Sequence, residues 1–170
     1  MPSDESAPRK NPQGPVGAYV VANLVQLRED RKLTYRELAD RLAELGRAIP
    51  TLGLARIEKG ERRVDADDLV ALAIALGVTP NALLLPRDVD ATDDVALTPA
   101  KSVMAAGAWN WADGRNFLLG PQHSSWRAQV DFLAQSRPRW QQAEYVRQRM
   151  EELAERQLAE EEGSSSAKDP

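Results

Sequence analysis

The sequence predicts an all-α chain, with a five-helix domain over residues 16–86 followed by a mainly helical C-terminal extension. Three observations carry this expectation. Apolar residues recur at helical spacing in consecutive short segments. Thr34 with Glu37 and Asp65 with Asp68 have the spacing of helix N-caps. Gly46, Gly60 and Gly77 stand where those segments stop, as the left-handed residue past a helix end requires.

Residues 1–15 are rich in Pro, Ser, Gly and charge and are expected to form a disordered arm carrying Arg9 and Lys10. Val20, Leu24 and Leu27 then mark a first helix to about Arg31, and Leu33 reads as a buried link. Thr34 caps a second helix from Tyr35, with Leu38, Ala39, Leu42 and Leu45 as its apolar stripe. Pro50 suits the first turn of a short third helix, where a missing N–H is no loss, and Leu54 and Ile57 point inward. Asp65 caps a fourth helix with Leu69, Leu72, Ala73 and Leu76 inside, and Thr79-Pro80 opens a fifth through Leu85. Residues 87–98 are acidic and expected to be a linker. Residues 99–162 form a C-terminal region: Thr98-Pro99 caps a short helix to Gly107, Asp113-Gly114 makes a turn, and helical patterns run from Trp126 to Gln135 and from Pro138 to Glu162. Residues 163–170 are a polar, disordered tail.

With 170 residues, 42% hydrophobic and 28% charged, and 11 prolines, the chain suits one compact domain and a looser remainder. The absence of cysteine excludes disulfides, thiol nucleophiles and cysteine-based metal centres. No apolar run approaches the ~20 residues that span a bilayer, and residues 1–15 have no hydrophobic signal segment. A cytoplasmic protein with no membrane partner is expected. A net charge of −4 argues against a polyanionic partner unless positive charge is concentrated on one face. It is concentrated: Arg47, Arg56, Lys59, Arg62 and Arg63 meet only Glu58 and Glu61, and the acids Asp65, Asp67 and Asp68 come after.

Several segments in order carry a resemblance to a family. They are Leu27-Arg28 through Arg31, Leu33-Thr34, Glu37-Leu38-Ala39, the run Leu54-Ala55-Arg56-Ile57-Glu58-Lys59-Gly60, and Leu76-Gly77-Val78 before Leu83. Over about Leu24 to Pro86 the chain resembles the helix-turn-helix regulators of the phage repressor and Cro, or xenobiotic response element, type. The resemblance implies a bacterial sequence-specific transcriptional regulator, a repressor acting as a homodimer on a palindromic operator in double-stranded DNA. The third helix would then enter the major groove N-terminus first. By that resemblance Thr51, Leu52, Ala55 and Arg56 meet base edges. Arg56 has the fork that donates twice to guanine, and Leu52 and Ala55 suit thymine methyls. Tyr35, Arg36, Arg47, Lys59, Arg62 and Arg63 suit phosphates, which position without specifying. Arg28 and Glu58 correspond to a structural ion pair between helices one and three, the alternative being two unrelated surface charges. The chain departs from the family between Ala39 and Leu54, where about five additional residues, Leu45-Gly46-Arg47-Ala48-Ile49, lengthen the connection. That departure bears on the contacts of helix three rather than on the fold.

Other readings compete. His123 is the sole histidine and lies beside Ser124 and Ser125, but no orienting carboxylate, oxyanion motif or Gly-rich phosphate loop accompanies it. No enzymatic activity, cofactor or metal is expected. Trp109, Trp111, Phe117, Trp126 and Trp140 are either packing residues or a cage for a small-molecule effector. Ala143, Val146, Met150 and Leu153 keep a coiled-coil spacing that Gln157 and Glu160 break, so this helix either packs on its own chain or pairs with a partner. A dimer interface is expected from exposed Leu84 and Leu85 or from the Met150 helix. An adaptor or antitoxin that binds a protein partner and touches DNA secondarily is the alternative function.

Overall fold

Helix α1 (Pro15–Asp30) opens on a proline and places Val20, Asn23, Leu24 and Leu27 inside. It starts one residue earlier than the sequence pattern indicates, inside the segment expected as an arm. The computed structural model describes residues 13–118, 126–148 and 150–151, in two compact units, Met1–Trp109 and Asn110–Pro170. Arg9, Lys10, His123, Ser124, Ser125, Leu153, Gln157, Glu160, residues 163–170 and the side chain of Trp126 lie outside the described residues.

In the first unit, Lys32 adopts a left-handed φ of 53° and turns the chain out of α1. The amides of Lys32 and Leu33 donate to Glu29 and Arg28 carbonyls, and Leu33 drops into the core. Helix α2 (Tyr35–Glu44) follows with a complete capping box, in which the Glu37 amide donates to the Thr34 hydroxyl at 3.2 Å and the Thr34 amide donates back to the Glu37 carboxylate at 2.8 Å. The Thr34 amide, and after it the Thr34 hydroxyl, donate to the Glu37 carboxylate and hold its pKa below the ordinary value.

Leu38 and Leu42 are fully buried, but Leu45 is exposed, contrary to its expected place in the stripe. The helix ends at Glu44 and Gly46 turns left-handed, so the 3.6-residue period stops one residue short of Leu45. Ile49, from the link, fills the core instead.

Pro50 sits just ahead of α3 (Thr51–Glu58) as its N-cap residue rather than within its first turn. Asp65 caps α4 (Ala66–Leu76) by accepting the Asp68 amide at 2.7 Å, and Gly77 closes that helix at φ 65°. Helix α5 (Pro80–Leu84) contributes a fully buried Leu83. Leu85 is buried as well and Leu84 half-buried, so the pair expected as an exposed dimer face is turned toward the protein. Leu24, Leu38, Leu42, Leu54, Ile57 and Leu72 form the centre of the core.

The unit does not stop at Pro86, and the chain is mostly helical rather than all-α. The expected linker 87–98 contains β1 (Asp94–Thr98), and β2 (Lys101–Met104) pairs with it antiparallel, with Val95 opposite Val103. Pro99-Ala100 is the turn between them, not the start of a helix. Within β1 only Val95 is buried, between exposed Asp94 and half-buried Ala96, so the strand carries no regular period of two.

Helix α6 (Ala105–Ala112) follows directly on β2, so Gly107 lies within a helix rather than at the end of one. The hairpin belongs to the helices: the Ala96 amide donates to the Tyr19 hydroxyl at 3.1 Å, and Val95 is buried. The Asn23 side-chain amide donates to the carbonyls of Leu83 and Leu85 at 3.0 and 2.7 Å, fixing α5 to α1. The Trp109 indole donates to the Pro86 carbonyl at 3.2 Å.

In the second unit, α7 (Trp126–Gln135) is followed by helical residues 139–148. The Arg137 guanidinium donates to the Asp113 carbonyl and lies 4.0 Å from the Tyr145 ring centroid. Phe117 packs on Phe132 with ring centroids 4.9 Å apart, whereas Trp140 is exposed.

Candidate nucleic-acid interface

Helix α3 has eight residues and two faces. Leu54 and Ile57 are fully buried, which turns Thr51, Leu52 and Arg56 outward and leaves Ala55 half-buried beside them. Leu52 is 63% exposed at the beginning of the helix. Gly53 allows the close approach behind it. A Cβ there would sit 3.1 Å from the Ile49 Cγ2 and 3.4 Å from an Arg62 nitrogen, so a larger residue would push the link and the following loop away from α3.

An ionic knot joins the end of α3 to α1 and α2. Arg28 donates to both oxygens of Glu58, from Nε at 2.7 Å and from a terminal nitrogen at 3.0 Å, and its other terminal nitrogen donates to the Leu33 carbonyl at 3.1 Å. The two side chains are 14% and 7% exposed, so the pair lies largely out of water. The Tyr35 hydroxyl donates to Glu58 at 2.7 Å, and its ring lies 4.7 Å from the Arg28 guanidinium carbon. Hydrogen bonding to Glu58 raises the pKa of Arg28 against the opposing effect of burial. The Tyr35 pKa is also raised, first by its bond to Glu58 and then by burial. Arg28 and Tyr35 therefore hold their neutral-pH protonation states, and Tyr35 serves the knot with its hydroxyl.

A second knot was not visible in the sequence. Asp68, in the first turn of α4, is 1% exposed and accepts from two arginines on either side of α3. Arg47 of the α2–α3 link donates to one oxygen at 2.8 Å, and Arg62 of the α3–α4 loop donates to the other at 2.7 Å. Arg47 also donates to Asp65 at 2.8 Å. The Arg47 pKa is raised chiefly by its bond to Asp68, while the Asp65 carboxyl is lowered chiefly because it accepts the Asp68 amide. The lengthened link is thus pinned at Arg47 and Ile49. Asp68 reads in sequence only as the partner of a helix cap, and only the preceding basic cluster hinted at a buried acceptor.

The predicted cations divide accordingly. Arg47 and Arg62 are engaged with carboxylates, and Tyr35 with Glu58. Arg56 and Lys59 are exposed at the end of α3, and Arg63 is exposed in the loop after it with an interaction of its own. Arg36 is exposed in the first turn of α2, 4.0 Å from Asp40. The described residues include no cluster of acids and histidines able to hold a metal, and no helix long and apolar enough to cross a membrane.

A family model described as helix-turn-helix matches residues 24–83. Neither the curated proteins nor the solved structures contain a match to the chain. The matched segment spans α2 and α3 with the packing helices on both sides. That family is one of DNA-binding regulatory domains and is not a family of enzymes. Over residues 24–83 the chain is therefore similar to helix-turn-helix domains of the phage repressor and Cro type, a family of DNA-binding regulatory domains.

Proposed function

We propose that the protein represses transcription in the bacterial cytoplasm as a homodimer, each protomer seating α3 in one major groove of a two-fold symmetric operator. The observation that supports this is the arrangement of α3, held from behind by Glu58 and flanked by the Asp68 knot, while Thr51, Leu52 and Arg56 face out. An eight-residue helix is only ~12 Å long and reads few base pairs, so specificity requires a second copy about one DNA turn away.

Arg56 takes a guanine, and Thr51, Leu52 and Ala55 contact neighbouring base edges. Arg36, Lys59 and Arg63 contact phosphates, while Tyr35, Arg47 and Arg62 act by holding α3 and its flanks. With Leu85 buried, the seam of Ala143, Val146 and Met150 supplies the dimer contact, Ala143 and Met150 being exposed.

In vitro selection of bound duplexes, followed by titration, tests the proposal. Arg56→Ala should lose ~1–3 kcal/mol on the selected operator and relax one position in each half-site. Lys59→Ala should lose equally on selected and scrambled duplexes. A purified protein that binds no duplex without a protein partner would instead support the adaptor or antitoxin reading.

A further inference from the structure

We infer that the first unit holds a binding site for a small aromatic carboxylate, in the cleft between the loop after α5 and the start of α6. The acid group of the ligand pairs with Arg87, and its ring packs on Trp109.

The cleft has a volume of about 390 Å³, and Pro86, Arg87, Val89, Ala91, Ala106 and Trp109 line it. That lies near the low end of small-molecule sites, ~300–1,000 Å³, and suits a compound of one or two rings. Hydrogen bonds fix its walls in the free protein. The Ala105 and Ala106 amides donate to the Asp93 and Ala91 carbonyls at 2.8 and 3.0 Å, tying the loop across the first turn of α6. The Trp109 indole is held by the Pro86 carbonyl, and the Leu85 carbonyl beside it accepts from Asn23 at 2.7 Å. The indole N–H and the first two amides of α6 are therefore already engaged.

Arg87 supplies the polar chemistry that remains. It is exposed, makes no ion pair with a described residue, and is the one charged side chain among the described lining residues. Asp93 accepts the Asp90 amide at 2.8 Å, while Asp88 and Asp90 are exposed outside the lining. Those acids weaken the pull of Arg87 on a bare anion, so a ring must supply much of the affinity. Val89, 40% exposed at the cleft, and Trp109 give that ring an apolar seat. A guanidinium donates two parallel hydrogen bonds to a carboxylate, an arrangement that a neutral carboxamide cannot accept.

Isothermal titration of the full chain with naphthoate, naphthamide and acetate tests the site. Naphthoate should bind about tenfold tighter than naphthamide, and acetate should give no measurable binding. Arg87→Gln should abolish that preference and bring the two aromatic compounds within about twofold of each other. Ala106→Glu adds an acid that suits the first turn of a helix, fills the cleft and should remove binding of both. Thermal melts of the two variants should match wild type, because neither side chain holds a bond in the free protein. If Ala106→Glu melts early, the Arg87→Gln comparison decides alone.

A wild-type protein that binds neither aromatic compound, or both equally, overturns the inference. So does a preference for naphthoate that survives in Arg87→Gln, or binding that a folded Ala106→Glu variant leaves unchanged.

Discussion

Replacing Glu58 by alanine removes the one carboxylate that α1, α2 and α3 share. Three hydrogen bonds disappear, two from Arg28 and one from Tyr35. Arg28 stays behind with a side chain 14% exposed, keeping the Leu33 carbonyl, the face of Tyr35 and the exposed Glu29 carboxylate 3.5 Å away. Removing one partner of a buried pair costs ~3–5 kcal/mol, because the remaining charge is left uncompensated. The surviving carbonyl and ring contacts place Glu58→Ala near the lower end, at ~3 kcal/mol. For a unit of this size that lowers the melting temperature by ~12–24 °C. Urea unfolding followed by circular dichroism measures the loss, and it should persist in 1 M salt, since water and ions have little access to the pair. The double variant Arg28→Met/Glu58→Leu removes both charges and should recover most of the stability. A Glu58→Ala loss below ~1 kcal/mol, or a double variant no better than the single, would refute the argument that burial makes the pair strong.

The remaining predictions address other parts of the first unit. Asp68→Ala should cost ~1–3 kcal/mol and exceed the loss from Arg47→Ala or Arg62→Ala, because each arginine can turn to water whereas the buried carboxylate serves both; equal losses in a denaturant series would contradict this. A fragment of residues 13–86 should unfold cooperatively but ~1.5–3 kcal/mol below a fragment of residues 13–109, the contribution of burying Val95; coincident melts would show that the hairpin adds nothing. Glu37 and Asp65 have folded-state pKa values below their unfolded ones, so their stabilisation is fully present above the ordinary carboxylate range and is lost as pH falls through the folded values. Denaturation midpoints should therefore hold from neutral pH to about 5 and decline below about 4, and Thr34→Ala should make that decline less steep.

Periodicity and capping identified the helices because those signals are local. Thr34 with Glu37 and Asp65 with Asp68 each act within one turn, and their consequences need no tertiary information. Leu45 misled because it keeps the period of α2 after the backbone has left the helix, and Ile49, which replaces it inside, has no periodic neighbour. The hairpin was hidden for a different reason: its strands are five and four residues long with no regular alternation, and β1 packs against α1, far away in sequence. The outward set on α3 was legible through the family resemblance together with the inward spacing of Leu54 and Ile57. The division of the arginines was not. Whether Arg47 meets solvent or Asp68 is decided by two helices and a link converging, 21 positions apart in the chain.

Helix α1 also acts as a lever. It is 16 residues, ~24 Å, long, with the hairpin tied near one end through Tyr19 and α3 tied near the other through Arg28. Tyr19 and Arg28 are separated by about 13 Å along the axis, so a tilt of ~5° about the hairpin end moves the Arg28 end by ~1 Å. Hydrogen bonds of 2.7 and 3.0 Å do not stretch that far, so Glu58 must follow or release. The strand pair, remote from α3 in sequence, is therefore geared to the angle at which α3 is held against the core.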